Sequence, residues 1–223
     1  YLTAKTSGRT VAEKALDDLR GAGARMKSVT LTAKDRICFN ARDGKPCDQS
    51  TCEFALGYHD RANDAIEDTF RNNDAFTRTT IEEAAQKHTV CPFELSLDLS
   101  NWSDVIVCDY NYVFDPKAFL KRYFLEGTGD YAFLIDEAHN LVDRARDMYS
   151  AQLSRTQIRR VAQALKEPVP QVAHVLDTID AFLKTQLQRA DDEGDGRGWL
   201  DRDLPEDLLP LIQRAQAEAE PIL

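Results

Sequence analysis

The chain has 223 residues, of which 43% are hydrophobic and 30% charged, a balance that excludes a disordered or fibrous polypeptide and suffices for one sizeable buried core. Lys and Arg total 28 against 38 Asp and Glu, so the formal charge of −10 excludes a generally basic coat for nucleic acid and makes any such contact local. No apolar run approaches the roughly 18 residues of a bilayer span, and the opening Tyr1-Leu2-Thr3-Ala4-Lys5-Thr6 lacks the basic-then-apolar layout of a signal peptide, so a soluble, intracellular protein is expected.

In chain order, residues 1–6 form an apolar, β-prone run that Ser7-Gly8 breaks. Val11, Ala12, Ala15, Leu16 and Leu19 follow at helical spacing, and Gly21-Ala22-Gly23 ends that helix. Residues 28–33 form a short strand, as the next strand of a βαβ unit would. From Arg36 to Cys91 the texture changes: four cysteines, the turn Asp43-Gly44-Lys45-Pro46 and polar helical stretches suggest an insertion with a small core of its own. Strand texture resumes at 104–109, centred on Val105-Ile106-Val107-Cys108, and at 131–135, both short enough to be buried parallel strands, with a helix over 117–124 between them. Beyond Arg146 the chain is all helical, over 156–165 and 172–187 with a break at Pro168 and Pro170, then an acidic loop at 191–196 and a last helix over 208–220.

The sharpest local signal is Asp136-Glu137-Ala138-His139 directly after the apolar run 131–135, because ligands of parallel α/β sheets bind beyond the carboxyl ends of the strands. In nucleotide hydrolases an Asp in that place holds Mg²⁺ on the β- and γ-phosphates, and a neighbouring carboxylate orients the attacking water. Asp136 suits the metal and Glu137 the water, while the imidazole of His139 can relay the state of the phosphate site by donating or accepting a hydrogen bond. The plainer reading is a helix start, with Asp136 as cap and Glu137 favouring the dipole. A phosphate loop is also needed. The stretch from Gly21 to Ser28 imitates G-x-x-x-x-G-K-[ST], but Met26 stands where the second glycine must be and a helix precedes it, so it reads as a helix C-cap running into a turn.

Cys38, Cys47, Cys52 and Cys91 all lie within the insertion. Only Cys47 and Cys52 come near the close pairing usual for zinc, whereas an iron–sulfur cluster is larger than one ion and accepts wider spacing. On spacing alone, cluster, zinc and unliganded core cysteines all remain open. Pro92 after Cys91 resembles the proline that follows the last ligand in cluster sites. Cys108, inside a strand, reads as a small buried hydrophobe.

In this order the segments resemble the iron–sulfur helicases of the XPD and DinG type, within helicase superfamily 2. Residues 1–6 are similar to the family's DNA-contacting motif Ia, and the four cysteines end in Cys91-Pro92-Phe93 as the family's do. Residues 105–116 resemble the strand and loop after the cluster domain, with Asn111, Tyr112, Asp115 and Pro116 matching in kind, and 134–140 resemble motif II. The likeness covers about residues 1–150 well and the tail loosely.

The resemblance implies an α/β fold: a partial RecA-like parallel sheet with an inserted, cysteine-ligated cluster domain and a helical Arch-like segment. The implied parts are 1–35 and 101–146 for the first motor domain, 36–100 for the cluster domain and 147–223 for part of the Arch. The implied activity is that of an ATP-dependent 5′-to-3′ DNA helicase. Asp136 would bind Mg²⁺, Glu137 act as base for water and His139 couple, with Cys38, Cys47, Cys52 and Cys91 holding a 4Fe–4S cluster. Single-stranded DNA or junctions would meet Thr3, Lys5, Thr6, Arg9, Tyr110 and Tyr112, with further charge from Arg36, Arg42 and Lys45. The Walker A loop and second motor domain are missing, so the chain reads as a monomeric fragment without activity by itself. Its place would be the cytoplasm, at the nucleoid, in a bacterium and the nucleus in a eukaryote. The alternatives are a zinc-stabilised nucleic-acid or protein-binding module without ATPase activity, and a nuclease-like hydrolase that would need further acidic ligands.

Overall fold

The structure is a computed structural model that describes residues 1–42, 47–125, 129–194, 199–203 and 205–220. The expected turn at Asp43-Gly44-Lys45-Pro46, with the charge of Lys45, lies outside these residues, as do Asp195 and Gly196 of the acidic loop. The chain divides into two compact units, Tyr1–Ser150 and Ala151–Leu223.

The first unit is α/β. Strands β1 (Ser28–Thr30), β2 (Ala75–Phe76) and β3 (Val105–Val107) form a parallel sheet in the order β2-β1-β3. Leu2 continues it through parallel bridges to Cys108 on one side and Ile135 on the other. The opening segment thus lies between β3 and the run that ends at the acidic tetrapeptide.

Side chains alternate across this sheet, as extended backbone requires. Val107 and the half-buried Val105 pack with Ala12 and Leu16 of helix α1 (Thr6–Gly21) on one face. Leu2, Val29, Leu31, Cys108 and Tyr110 belong to the larger core on the other. Polar groups of β1 on the α1 face are satisfied by that helix: Thr30 Oγ1 donates to Glu13 Oε1 at 2.7 Å, and Arg20 donates to Ser28 Oγ.

Helix α1 begins earlier than its apolar spacing suggests. Ser7 and Gly8 lie in its first turn instead of breaking the chain before it. Gly23, with φ of +99°, follows the C-cap Ala22 and stops the helix in the manner expected of Gly21-Ala22-Gly23.

The stretch from Arg36 to Cys91 does not keep a separate core. Helices α2 (Lys34–Ile37) and α3 (Phe39–Arg42) precede α4 (Tyr58–Asn72), α5 (Arg78–His88) and α6 (Pro92–Ser100). Their apolar residues Ile37, Tyr58, Ala65, Ile81, Leu95 and Leu99 join one continuous cluster with Val29 and Phe76 of the sheet. The stretch also supplies β2, whose two residues are too few to show a period of two in sequence.

Two further expectations change. Instead of one helix over 117–124, the chain forms α7 (Asn111–Phe114), turns, and the single-turn α8 (Lys121–Phe124). The run 131–135 is not a buried strand: Phe133 is 47% and Leu134 65% exposed. Leu2 N–H donates to the Leu134 carbonyl at 2.8 Å and Asp136 N–H to the Leu2 carbonyl at 2.9 Å, so the run is paired through Leu2 on one side. Among the described residues no strand pairs with its other side. Tyr131 and Phe133 pack instead with Tyr123 and Phe124 as an aromatic cluster with centroids 6.0–6.5 Å apart.

After the acidic tetrapeptide, a 3₁₀ turn (Ala138–Asn140) leads into α9 (Leu141–Met148). The second unit holds α10 (Arg155–Leu165), α11 (Pro170–Glu193) and α12 (Leu208–Ala219). Ile158, Val175 and Ile179 form its core with Leu176, Leu183, Leu208 and Leu211. Ser154 caps α10 by accepting from Gln157 N–H, and Pro170 opens α11, where its missing N–H costs nothing. No described helix is long and apolar enough to cross a membrane.

Candidate active site at the end of the sheet

The parallel strands end together, which places three chain segments at one edge: Thr3 to Lys5 after Leu2, Asp109 to Asn111 after β3, and Asp136-Glu137 after Ile135. Thr3 is buried and its Oγ1 donates to Asp136 Oδ2 at 3.0 Å. Burial first, and the Asp136 carboxylate second, push the Tyr1 phenol above its ordinary range. Gly8 in the first turn of α1 lies against the same group: a Cβ there would stand 2.6 Å from Asp136 Oδ2 and would also collide with Thr3 Oγ1. Only glycine lets the helix N-terminus approach this carboxylate so closely.

Asp136 caps no helix. Glu137 occupies the N-cap position of the 3₁₀ turn in left-handed backbone, φ +50° and ψ +43°, and makes no side-chain cap bond. A left-handed Glu is disfavoured, and such residues persist only where their surroundings over-determine them. Here the determinant is Tyr110. It is 1% exposed, and its hydroxyl donates to the carbonyl of Asp136 and lies 3.5 Å from that of Glu137. Burial, reinforced by the two neighbouring carboxylates, pushes the Tyr110 hydroxyl up. A ring so enclosed has no open face for a base, which corrects the expectation that Tyr110 stacks on DNA. His139 is 74% exposed with Nδ1 3.4 Å from Glu137 Oε2, a contact screened by solvent.

A third layer surrounds Tyr110. Arg144 on α9 donates from Nη2 to Asp109 Oδ1 at 2.9 Å and to Asn111 Oδ1 at 3.3 Å, and its guanidinium stands 5.9 Å from the Tyr110 ring centre. Asp109 Oδ1 accepts the Asn111 N–H as well, at 3.0 Å. Neither Gly8 nor Arg144 is marked by a sequence pattern. Gly8 reads as a breaker, and Arg144 is one of several charged residues on a short helix.

Of the other candidates, Lys5 and Thr6 are exposed at the start of α1, Arg9 is half-buried and Tyr112 is half-buried, its hydroxyl pushed up to about 12, chiefly by burial. Arg9 Nε is buried without a hydrogen-bond partner among the described residues. Arg36 is exposed, with its carbonyl accepting from Arg78 at 2.7 Å.

The carboxylate of Asp136, held by Thr3 at the end of the sheet, is an oxygen donor of the kind that fits Mg²⁺, a cation that takes one or two protein carboxylates and leaves its other positions to water and phosphate.

Four of the cysteines belong to the insertion. Cys91 is the N-cap of α6 with Pro92 at its first position, and burial raises its thiol. Lys34 is held above its ordinary value first by a hydrogen bond with Cys47, with Cys91 also acting on it, and Cys38 in turn acts on Cys91. Cys52 Sγ accepts from Asn40 Nδ2 at 3.3 Å. Among the described residues no three His, Cys, Asp or Glu side chains stand close enough to hold a single metal ion. Thiols are the donors an iron–sulfur cluster takes, and Cys47 and Cys91 are the two that act on Lys34. Cys108 is 2% exposed with its thiol pushed up to about 12 by burial, as an inert core residue should be.

Residues 8–158 match the protein family described as DEAD_2. The chain is 27% identical over 142 residues to the general transcription and DNA repair factor IIH helicase subunit XPD of Schizosaccharomyces pombe, covering 64% of this chain and 18% of that protein. It is 23% identical over 211 residues to the regulator of telomere elongation helicase 1 homolog of Caenorhabditis briggsae, covering 85% and 20%, and 27% identical over 214 residues to that of Drosophila persimilis, covering 90% and 19%. The chain thus spans about a fifth of the length of these relatives. With a match that takes in the carboxylate edge, the insertion and α9 together, the chain belongs to the DEAD_2 family of XPD-like superfamily 2 helicases.

Proposed function

We propose that this chain forms part of the first, RecA-like motor domain of an ATP-dependent 5′-to-3′ DNA helicase, with inserted cluster-binding and helical Arch segments. The observation that carries the reading is the carboxylate pair at the carboxyl end of the parallel sheet, with Asp136 held by Thr3 and Glu137 turned into left-handed backbone. Asp136 would hold Mg²⁺, which supplies charge neutralisation on the β- and γ-phosphates. Glu137 orients and deprotonates the attacking water, and His139, exposed beside it, passes the state of the site to its surroundings. Thr3 positions Asp136 from within the sheet, so its contribution to DNA contact is through the backbone of its segment. Lys5, Thr6, Arg9 and Tyr112 supply the local charge and the ring face for a single strand that a net charge of −10 denies the rest of the surface.

Cys38, Cys47, Cys52 and Cys91 would hold a 4Fe–4S cluster, which stiffens a helical insertion beside the DNA path. Lys34 offers a hydrogen-bond donor to that thiolate set.

The deciding experiment is Glu137→Gln in the longest native polypeptide that contains this chain. Nucleotide binding is retained, and DNA-stimulated ATP turnover falls by about two orders of magnitude or more, as loss of a positioned general base requires. Undiminished turnover removes Glu137 from the reaction.

A further inference from the structure

The carbonyls of Asp136 and Glu137 are held by a side chain 26 residues upstream, and that side chain is itself bracketed by a residue on the following helix. Tyr110 has Asp109 and Asn111 as chain neighbours, and Arg144 Nη2 binds the side chains of both, at 2.9 and 3.3 Å, with its guanidinium facing the ring between them. The chain from Asp136 to Arg144 therefore closes into a ring through space. Its one end is tied to the Tyr110 hydroxyl, and its other, one turn into α9, is tied to the residues on either side of that tyrosine.

Within this ring lies Glu137, with a backbone conformation its own side chain disfavours. Asp109 Oδ1 serves as the hub, accepting from both Arg144 and the Asn111 N–H, so the turn that carries Tyr110 and the helix that carries Arg144 share one acceptor. The other groups facing Tyr110 are the carboxylates of Asp136 and Glu137, and Arg144 is the cation that offsets them. Its Nε is buried without a partner among the described residues, so its hold on the turn runs through Nη2.

We infer that Arg144, acting through Asp109, Asn111 and Tyr110, is a positioning residue that locks the backbone of the Asp136-Glu137 pair in its working geometry. Its side chain meets Asp109, Asn111 and the Tyr110 ring. Its removal frees the post-β3 turn, lets the Tyr110 hydroxyl leave the two carbonyls, and allows Glu137 to relax out of left-handed backbone. The inference deepens the hydrolase reading of the same edge and rests on it for its kinetic consequence, but not for its structural one.

The test therefore has two arms. In hydrogen exchange on the 223-residue chain, Arg144→Ala and Tyr110→Phe each speed exchange at the amides of 136–141 and leave those of β1 unchanged. Arg144→Lys, which keeps the charge but loses the planar fork, restores protection only in part. In the longest native polypeptide, Arg144→Ala lowers kcat for ATP by about tenfold to a hundredfold, the cost of misplacing a reacting group by roughly an ångström, with KM unchanged. Unchanged exchange at 136–141 in Arg144→Ala overturns the inference, as does a rise in KM at constant kcat. If Glu137→Gln turns over like the wild type, the hydrolase reading falls by itself, and the exchange arm still decides whether Arg144 locks the loop.

Discussion

Substitution of Gly8 by Ala tests whether α1 is packed against the acidic site as closely as the structure places it. In an exposed helical position the change stabilises by about 0.5–1 kcal/mol, because alanine loses less conformational freedom on folding. At Gly8 the new methyl would sit 2.6 Å from Asp136 Oδ2 and would also strike Thr3 Oγ1, two side-chain atoms that are hydrogen-bonded to each other. Relief requires α1 to back away from the sheet or the Thr3–Asp136 hydrogen bond to open. Overpacking of that kind costs about 1–3 kcal/mol, and a hydrogen bond to a charged group about 1.5–3 kcal/mol. Setting the gain against one of these losses, Gly8→Ala destabilises the first unit by about 1–2 kcal/mol.

Gly21, the last residue of the same helix, is the internal control, since a Cβ there meets nothing within 4 Å. Gly21→Ala should stabilise by a few tenths to about 1 kcal/mol. The assay is urea unfolding followed by Trp102 fluorescence in a Trp199→Phe background, so that the signal comes from the first unit alone. Opposite shifts of the midpoint at constant m are expected. If the two alanines shift it in the same direction, the close approach of α1 to Asp136 is wrong.

Two other outcomes follow from the insertion. Iron bound on anaerobic expression is lost in Cys52→Ser and retained in Cys108→Ser, whose thiol is buried away from the other four; equal loss from both variants refutes the ligand set. Asp68 of α4 binds Lys87 and His88 of α5 at 2.7 and 2.9 Å, and these hydrogen bonds, that of Lys87 first, hold its carboxyl down at about 2 against an ordinary 3.8. A carboxyl depressed on folding stabilises above its unfolded value and loses that contribution as pH falls through its folded value. The gap in unfolding midpoint between wild type and Asp68→Asn is therefore open above pH 3.8 and closed by about pH 2, and a gap independent of pH refutes the pairing.

Much of the fold was legible because sheet and helix leave different periods in sequence. Val105-Ile106-Val107 is a strand in the structure, and α10 and α12 fall where apolar spacing places them, while α1 starts ahead of its apolar spacing and α11 runs on to Glu193, through the first residues expected in the acidic loop. What misled were segments whose local composition and tertiary place disagree. Residues 131–135 are as apolar as a buried strand, yet Leu2 pairs with only one side of them and their side chains lie open. Ser7-Gly8 is a turn pair by composition, but Gly8 is required inside a helix by the oxygen atoms of nearby Thr3 and of Asp136, which is distant in sequence. Ala75–Phe76 is too short a strand for any period, and its place beside β1 is decided by Phe76 entering the common core.

The acidic site divides along the same line. That Asp136 and Glu137 stand at the end of the sheet is legible from the apolar run before them, whose last residue, Ile135, bridges to Leu2. Their supports are not, because each is a long-range contact: Thr3 to Asp136 spans 133 residues, Arg144 to Asp109 spans 35. Tyr110 shows the consequence. Beside Asn111 and Tyr112 in a loop it resembles a stacking face, whereas in the structure it is buried, with Arg144 over its ring and its hydroxyl bonded to the carbonyl of Asp136. A polar aromatic residue near an active site has two uses that sequence cannot separate: presenting its ring to a ligand, or spending its hydroxyl on the backbone. The enclosed ring and the left-handed Glu137 select the second, and the loss of exchange protection predicted for Tyr110→Phe, a change that removes the hydroxyl and keeps the ring, distinguishes them directly.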